Sequence, residues 1–116
     1  MKFIALISVL IISSIELSQA GNYTGRVDSI ITATMFDNKV YVQTLDEFHK
    51  TPKSCSTNKR YAFAFDGTTA IGKNFLMLLT SALTSGNEVY LQGDDNCKIS
   101  KAGTVENLTT LQLKAK

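Results

Sequence analysis

The sequence predicts a small, mainly β domain with one helix, in the order β-β-β-α-β-β. Three observations predict it: apolar and polar residues alternate in several short segments, one segment has a helical period, and turn residues separate the segments. The chain has 116 residues and a formal net charge of +2, which fits a single domain. This charge gives no case for a nucleic-acid-binding protein, and the composition argues against disorder.

The first 20 residues are predicted to be a removable secretory signal peptide. Lys2 precedes an almost wholly apolar segment, 3–15, and small residues follow at positions 18 and 20. This run of about 13 residues is shorter than the ~20 that a membrane-spanning helix requires, so we expect no membrane span. We therefore expect cleavage after Ala20, one mature domain over residues 21–116, and a secreted or periplasmic location.

Cys55 and Cys97 are the only two cysteines of the chain. An exported chain meets an oxidising environment, so the default expectation is one disulfide between them. Closing such a loop would stabilise the fold by roughly 4 kcal/mol on the chain-entropy model. A redox or metal-binding pair fits less well, because the spacing is not CxxC and the chain has a single histidine.

The first two predicted strands form a hairpin. They cover residues 27–35 and 39–43, and the turn between them contains Asp37-Asn38, a pair that tolerates left-handed backbone. A polar loop follows over residues 47–59. Alternation in the first strand predicts an inward face made of Val27, Ile31, Ala33 and Met35.

A third strand, a helix and two further strands complete the prediction. The third strand covers residues 60–65, with Tyr61, Phe63 and Phe65 expected on one face. The helix ends at Gly86, and strands over 88–92 and 105–113 follow, the second with a bulge near residues 109–110. The apolar stripe of the helix consists of Ile71, Phe75, Leu78, Leu79, Ala82 and Leu83.

Five strands with one helix between the third and the fourth form the element order of the oligonucleotide/oligosaccharide-binding (OB) barrel. In that architecture the helix closes one end of a small barrel. A five-stranded α+β sheet with the helix across one face has the same content. We favour an OB-like barrel because two hairpin-like pairs of strands flank the single helix.

No constellation of side chains in the sequence predicts an enzyme. Residues 67–74 match a phosphate-binding loop only in part, because Asn74 stands where a Mg²⁺-binding Ser or Thr is needed. His49 is the only histidine and lies in a Lys-rich loop, and the carboxylates Asp94 and Asp95 are adjacent residues of a turn. We therefore expect a non-catalytic protein without a metal ion or a cofactor.

The segment Phe75–Ala82, followed by Ser85–Leu91 and Cys97, resembles a helix–turn–strand–cysteine segment of small exported bacterial proteins. These proteins are similar to the binding subunit of subtilase cytotoxin, an AB5 toxin. In that family a short exported OB-fold chain with a disulfide forms a pentameric ring and binds sialylated glycans. The resemblance implies a homo-pentamer, a cell-surface glycan as ligand and a catalytic A-type subunit as partner. The sugar-contacting hydroxyl of the family lies in the early strand region, where Ser29 stands here.

A glycan-binding module would bind sugar through short polar side chains on the first hairpin, because sugars need hydroxyl and amide partners on a rigid scaffold. The predicted glycan-binding residues are Ser29, Thr32, Thr34 and Tyr41. Lys50, Lys53 and Lys59 of the following loop are expected to attract a sialic acid carboxylate. The alternative is a small secreted or periplasmic protein that binds another protein and has no glycan site.

Overall fold

The computed structural model describes residues 20–51 and 54–116. Residues 1–19 of the predicted signal peptide, and Lys53 of the predicted lysine group, lie outside the described residues. The elements are β1 (Asn22–Gly25), β2 (Val27–Thr32), a 3₁₀ turn (Thr34–Phe36), β3 (Lys39–Thr44), β4 (Phe63–Asp66), α1 (Ala70–Ser85), β5 (Val89–Gly93) and β6 (Glu106–Leu113).

The six strands form one sheet in the order β1-β5-β6-β4-β3-β2. All neighbours are antiparallel except β4 and β6, which are parallel. The two edge strands, β1 and β2, are separated in sequence by Arg26 alone, so the sheet curls until its edges meet at this residue. The mainly β fold with one helix is confirmed. The count of five strands is wrong, because residues 22–32 supply two strands rather than one.

β1 is the strand that the sequence analysis missed. Its four residues pair with β5, in the register Asn22 with Gln92 to Gly25 with Val89. Tyr23 is buried, and its hydroxyl donates a hydrogen bond to the carbonyl of Arg26 at 2.7 Å. A Cβ at Gly25 would lie only 2.5 Å from that hydroxyl, so only glycine fits where the chain passes from β1 to β2.

The predicted inward face of the first hairpin strand is wrong beyond Val27. A bulge lies between Val27 and Ser29 in the pairing of β2 with β3. A bulge adds one residue and therefore exchanges the two faces of the strand that follows. As a result Ile30 packs against the core, whereas Ile31 and Met35 are exposed.

Apolar side chains pack on both faces of the sheet. The larger cluster lies between the curled sheet and α1 and consists of Tyr23, Val40, Val42, Ala62, Phe63, Phe65, Phe75, Leu79, Ala82, Val89, Leu91 and Leu108. A smaller cluster lies on the outer face and consists of Tyr41, Ala64 and Val105, with Phe36, Tyr61 and Ile99 packed against it. The outer cluster is the part of the fold that positions the candidate site.

Helix α1 has a capping residue at each end, of which the sequence predicted Gly86 at the end. The hydroxyl of Thr69 accepts a hydrogen bond from the backbone of Gly72 at 3.0 Å, and Gly86 adopts a left-handed φ of 75° after the last turn. A side chain at Gly72 would lie 1.9 Å from the carbonyl of Asp66, so a glycine is required in this first turn. Of the predicted stripe, Ile71 and Leu83 are exposed, which narrows the buried face. No helix within the described ranges is long and apolar enough to cross a membrane.

The predicted disulfide between Cys55 and Cys97 is present. It joins the loop that leads to β4 with the segment that follows β5. Each of these two segments supplies a side chain to the outer cluster, Tyr61 from the first and Ile99 from the second. The bond is consistent with an extracellular or other oxidising compartment.

Candidate ligand-binding groove

The four predicted glycan-binding residues lie on different faces of the first hairpin. Ser29 pairs with Gln43, on the same face of the sheet as Tyr41, and its hydroxyl donates to the Gln43 carboxamide at 3.2 Å. Thr32 pairs with Val40 on the opposite face and donates to the carbonyl of Lys39 at 2.9 Å. The structure therefore does not bring Ser29 and Thr32 to one site.

Tyr41 lies in the wall of a groove on the outer face of the sheet, of about 520 Å³. We call it the aromatic groove. Thr34 lines a smaller depression beside it, of about 370 Å³, and Met35, Phe36 and Lys101 border both. The groove is lined by Met35, Phe36, Tyr41, Asn58, Tyr61, Ser100, Lys101, Ala102, Thr104 and Val105.

Three aromatic rings form the apolar part of the aromatic groove. The centroid of Tyr41 lies 4.6 Å from that of Phe36 and 5.4 Å from that of Tyr61, the second pair being edge to face. The prediction that Tyr61 shares a face with Phe63 is wrong. Strand β4 begins only at Phe63, so the alternation of that strand does not extend back to Tyr61.

Two loops are held together at the mouth of the aromatic groove. The backbone nitrogen of Asn58 donates to the carbonyl of Thr104 at 3.1 Å, which joins the loop before β4 to the loop before β6. The carboxamide oxygen of Asn58 accepts from the backbone of Arg60 and of Tyr61, both at 2.8 Å, and so fixes the approach to Tyr61. The groove is therefore built on constrained loops.

Ser100 and Tyr41 fix the loop that carries Lys101. The buried hydroxyl of Ser100 accepts from the backbone nitrogens of Thr104 at 3.1 Å and Val105 at 3.2 Å. The hydroxyl of Tyr41 accepts from the backbone nitrogen of Lys101 at 3.2 Å. Tyr41 thus serves two purposes, since its ring lines the groove and its hydroxyl holds the opposite wall.

The rim of the aromatic groove is positively charged. Lys101 is exposed there, and the one ion pair among the described residues joins Lys39 to Asp66 at 3.8 Å, so Lys101 forms no ion pair with a described carboxylate. Asp37 lines the adjoining depression. The Arg60 guanidinium lies 5.2 Å from the centre of the Tyr61 ring. This arrangement suits a ligand with an apolar face and a negative group.

A second depression, of about 640 Å³, lies beside the polar loop and is lined by Glu47, Phe48, His49, Lys50 and Lys59. Of the three predicted lysines, Lys50 is already engaged, because its ammonium donates to the carbonyl of Ser56 at 3.0 Å. Glu47 offsets part of the positive charge. This depression has one aromatic ring, and it is a weaker candidate than the aromatic groove.

Phe36, Tyr61 and Lys101 are groove residues that the sequence analysis did not predict. They come from three separate segments that meet only through the sheet order and the disulfide. The signal available in the sequence was Tyr41 between Val40 and Val42, an aromatic residue that breaks the alternation and indicates that part of the second face is covered.

No group of three or more His, Cys, Asp or Glu side chains that could hold a metal ion occurs in residues 20–51 and 54–116. No family model matches this chain, and neither does any curated protein or solved structure. The resemblance to the binding subunit of subtilase cytotoxin therefore stays a prediction.

Proposed function

We propose that this chain is an exported, non-catalytic binding module that holds an acidic glycan in the aromatic groove. The observation that carries the proposal is the set of three packed rings in an open groove with Lys101 at its rim. The disulfide supports the exported location.

The chemistry of the groove is complementary to that of an acidic sugar. A pyranose ring has a face of C–H groups, which packs against aromatic rings, and a rim of hydroxyls, which hydrogen-bond to amide and hydroxyl groups such as those of Asn58 and Thr104. A carboxylate on the sugar would form a charge-assisted contact with the Lys101 ammonium. Lys101 takes the place that the sequence analysis gave to the lysines of the polar loop.

The sheet order also supports the proposal of an OB-like barrel. With β1 and β2 counted as one bent strand, the helix lies between the third and fourth strands, as in OB barrels. OB barrels bind oligosaccharides and oligonucleotides on the second and third strands and on the loops after the first and fourth. In this numbering Tyr41 lies on the second strand, which is β3. Phe36 lies on the loop after the first strand, and Lys101 lies on the loop after the fourth.

A glycan array tests the proposal directly. The exported protein, displayed at high density so that avidity does not depend on its oligomeric state, should bind acidic glycans. Lys101→Glu should weaken that binding roughly tenfold or more, since a charge-assisted contact is replaced by repulsion. Lys98→Glu is the matched control, because Lys98 is exposed on the same loop but does not line the groove. Absence of binding to every glycan by folded protein would end the glycan proposal.

A second pair of variants distinguishes the aromatic groove from the predicted hairpin site. The double variant Ser29→Ala, Thr32→Ala should leave glycan binding unchanged if the groove is the site. Loss of binding in the double variant with retained binding in Lys101→Glu would place the site on the hairpin.

A protein partner is the second candidate, and the outer side of α1 favours it. Met77 is 62% exposed, and Leu76 and Leu83 are also exposed on this helix. Such a surface suits association with further copies of this chain or with an A-type subunit. Light scattering after size exclusion should show an oligomer that Leu76→Lys, Leu83→Lys dissociates and that Asn74→Lys, on the same helix, leaves intact. A monomeric wild-type protein would contradict the proposal that this chain forms a homo-oligomer through α1.

A further inference from the structure

Glu106 is a buried carboxylate that forms no ion pair with a cationic side chain of residues 20–51 and 54–116. It is 1% exposed on β6. Its two oxygens accept from the backbone nitrogen of Gly21 at 3.1 and 3.0 Å, and one also accepts from the nitrogen of Asp95 at 2.7 Å. Within the described part of the chain, the one ion pair lies elsewhere, between Lys39 and Asp66.

The surroundings of Glu106 make its negative charge unfavourable. Burial raises the pKa of the Glu106 carboxyl above its ordinary value, and the charges of Asp95 and Asp94 add to this, while the hydrogen bonds from Asp95 and Gly21 act in the opposite direction. One carboxylate oxygen of Asp95 is itself buried without a hydrogen-bond partner among the described residues. A buried anion that lacks a cation destabilises a fold.

The chain is built to bring the nitrogen of Gly21 onto this carboxylate. A Cβ at Gly21 would lie 2.7 Å from a Glu106 oxygen and 2.8 Å from the carbonyl of His49, so only glycine allows the approach. The carbonyl of Gly21 accepts from Gly93 at 3.1 Å, and the next residue, Asn22, exchanges two backbone hydrogen bonds with His49. One nitrogen therefore faces both oxygens of a carboxylate that is 85 positions away in sequence.

Gly21 is also the first residue after the predicted cleavage position. We propose that hydrolysis of the Ala20–Gly21 peptide bond creates an α-ammonium group at Gly21, and that this group forms a buried ion pair with Glu106. Removal of the leader would then supply the cation that the folded domain lacks. The inference goes beyond glycan binding and does not depend on it, but it rests on the export that the proposed function includes.

The proposed step is an ordinary peptide hydrolysis by a peptidase of the export pathway. Water adds across the bond, the carbonyl carbon of Ala20 becomes a carboxylate that leaves with the leader, and the nitrogen of Gly21 becomes an amine. That amine takes up a proton at neutral pH, since an α-amino group has a pKa of about 8. The nitrogen thereby changes from a neutral donor with one hydrogen to a cation with three.

The proposal makes the pH dependence of stability differ between two forms of the chain. With a residue still attached before Gly21, the raised pKa of Glu106 gives stability that is fully present below 4.5 and is lost as pH rises through the folded-state value. With a free α-ammonium, the pKa of Glu106 falls and that of the amine rises. Stability should then persist through neutral pH and be lost as pH rises above about 8. In both forms the charges of Asp94 and Asp95 act on the Glu106 carboxyl. The side chain of His49 is exposed to solvent.

The test compares four exported proteins whose N-termini are verified by mass spectrometry. One begins at Gly21, and one carries a serine inserted after Ala20, so that its ammonium is displaced by one residue. Each is made with Glu106 and with Glu106→Gln. We expect the serine insertion to lower Tm by roughly 5–10 °C in the Glu106 protein and to have little effect with Glu106→Gln, because the amide has no charge to pair.

If the serine insertion lowers Tm equally in the Glu106 and the Glu106→Gln proteins, the proposed ion pair is wrong. Should a Glu106→Gln protein fail to fold, NMR titration of the unsubstituted protein that begins at Gly21 decides the question. The pKa of its α-amino group should lie above about 8, the value of an unpaired terminus. A pKa at or below that value would overturn the proposal, and a first residue other than Gly21 would do so as well. Neither result would bear on glycan binding.

Discussion

At the scale of single residues, buried polar groups hold the loops of this domain in place. The hydroxyl of Ser100 and the carboxamide of Asn107 accept backbone hydrogen bonds from the loop before β6, the latter from Ile99 at 3.0 Å. Glu106 does the same for the two segments that meet at the end of β5. An unsatisfied buried donor costs about 1–3 kcal/mol, so these side chains are structural even though they are polar.

Two glycines near these groups should respond very differently to substitution by alanine. A Cβ at Gly93 would lie 2.3 Å from a Glu106 oxygen and 2.7 Å from the carbonyl of Asn107, whereas a Cβ at Gly103 would have nothing within 4 Å. Gly93→Ala should lower the free energy of unfolding by about 3 kcal/mol. Gly103→Ala should lower it by about 1 kcal/mol, because its φ of 72° is left-handed. Denaturant unfolding measures both, and similar losses would contradict the packing described around Glu106.

At the scale of elements, local signals predicted turns and caps well but not strand phase. Asp37 and Asn38 both adopt positive φ in the hairpin turn, and Gly86 ends the helix, as predicted, because these residues act through their own backbone. The predicted bulge near residues 109–110 is confirmed, since Thr109 is left out of the register between β5 and β6. The bulge between Val27 and Ser29 was not predicted, because it depends on pairing with β3. The adjacent Ile30 and Ile31 break the alternation, but they do not show where the extra residue lies.

The narrow buried face of α1 gives a prediction for the helix. Leu79 is fully buried in the larger cluster, whereas Met77, two residues earlier, is 62% exposed. Leu79→Ala should lower the free energy of unfolding by about 2–5 kcal/mol through the cavity that it leaves. Met77→Ala should change it by less than about 0.5 kcal/mol. Thermal or denaturant unfolding distinguishes the two, and a small effect of Leu79→Ala would mean that α1 does not cover the sheet as described.

At the scale of the whole molecule, closure of the curled sheet brings distant segments together. The aromatic groove is lined by residues of the hairpin turn, β3, the loop before β4 and the loop before β6. Glu106 accepts a hydrogen bond from Gly21, which lies 85 positions earlier in the sequence. The sequence analysis predicted Tyr41 as a site residue and the disulfide as a link. It did not predict Phe36, Tyr61 or Lys101, because their proximity depends on the sheet order rather than on neighbouring residues.

The disulfide should matter for both stability and the groove. Replacing both Cys55 and Cys97 by serine should lower the free energy of unfolding by roughly 2–5 kcal/mol. Because the bond ties the loop of Tyr61 to the segment leading to Lys101, glycan binding should also weaken under conditions where the variant stays folded. Unfolding curves and binding to the best array ligand measure the two effects. Unchanged stability of the double variant would contradict the structural role of the bond.

NMR titration of the protein with the best ligand from the array shows whether the aromatic groove binds an acidic glycan. We expect the largest chemical-shift changes at the backbone amide of Lys101, which donates to the Tyr41 hydroxyl, and at the amides of Tyr61 and Phe36. Lys101→Glu should strongly reduce these changes at the same ligand concentration, and Lys98→Glu should preserve them. Changes confined to Ser29 and Thr32, or to helix α1, would show that the glycan does not bind in the aromatic groove.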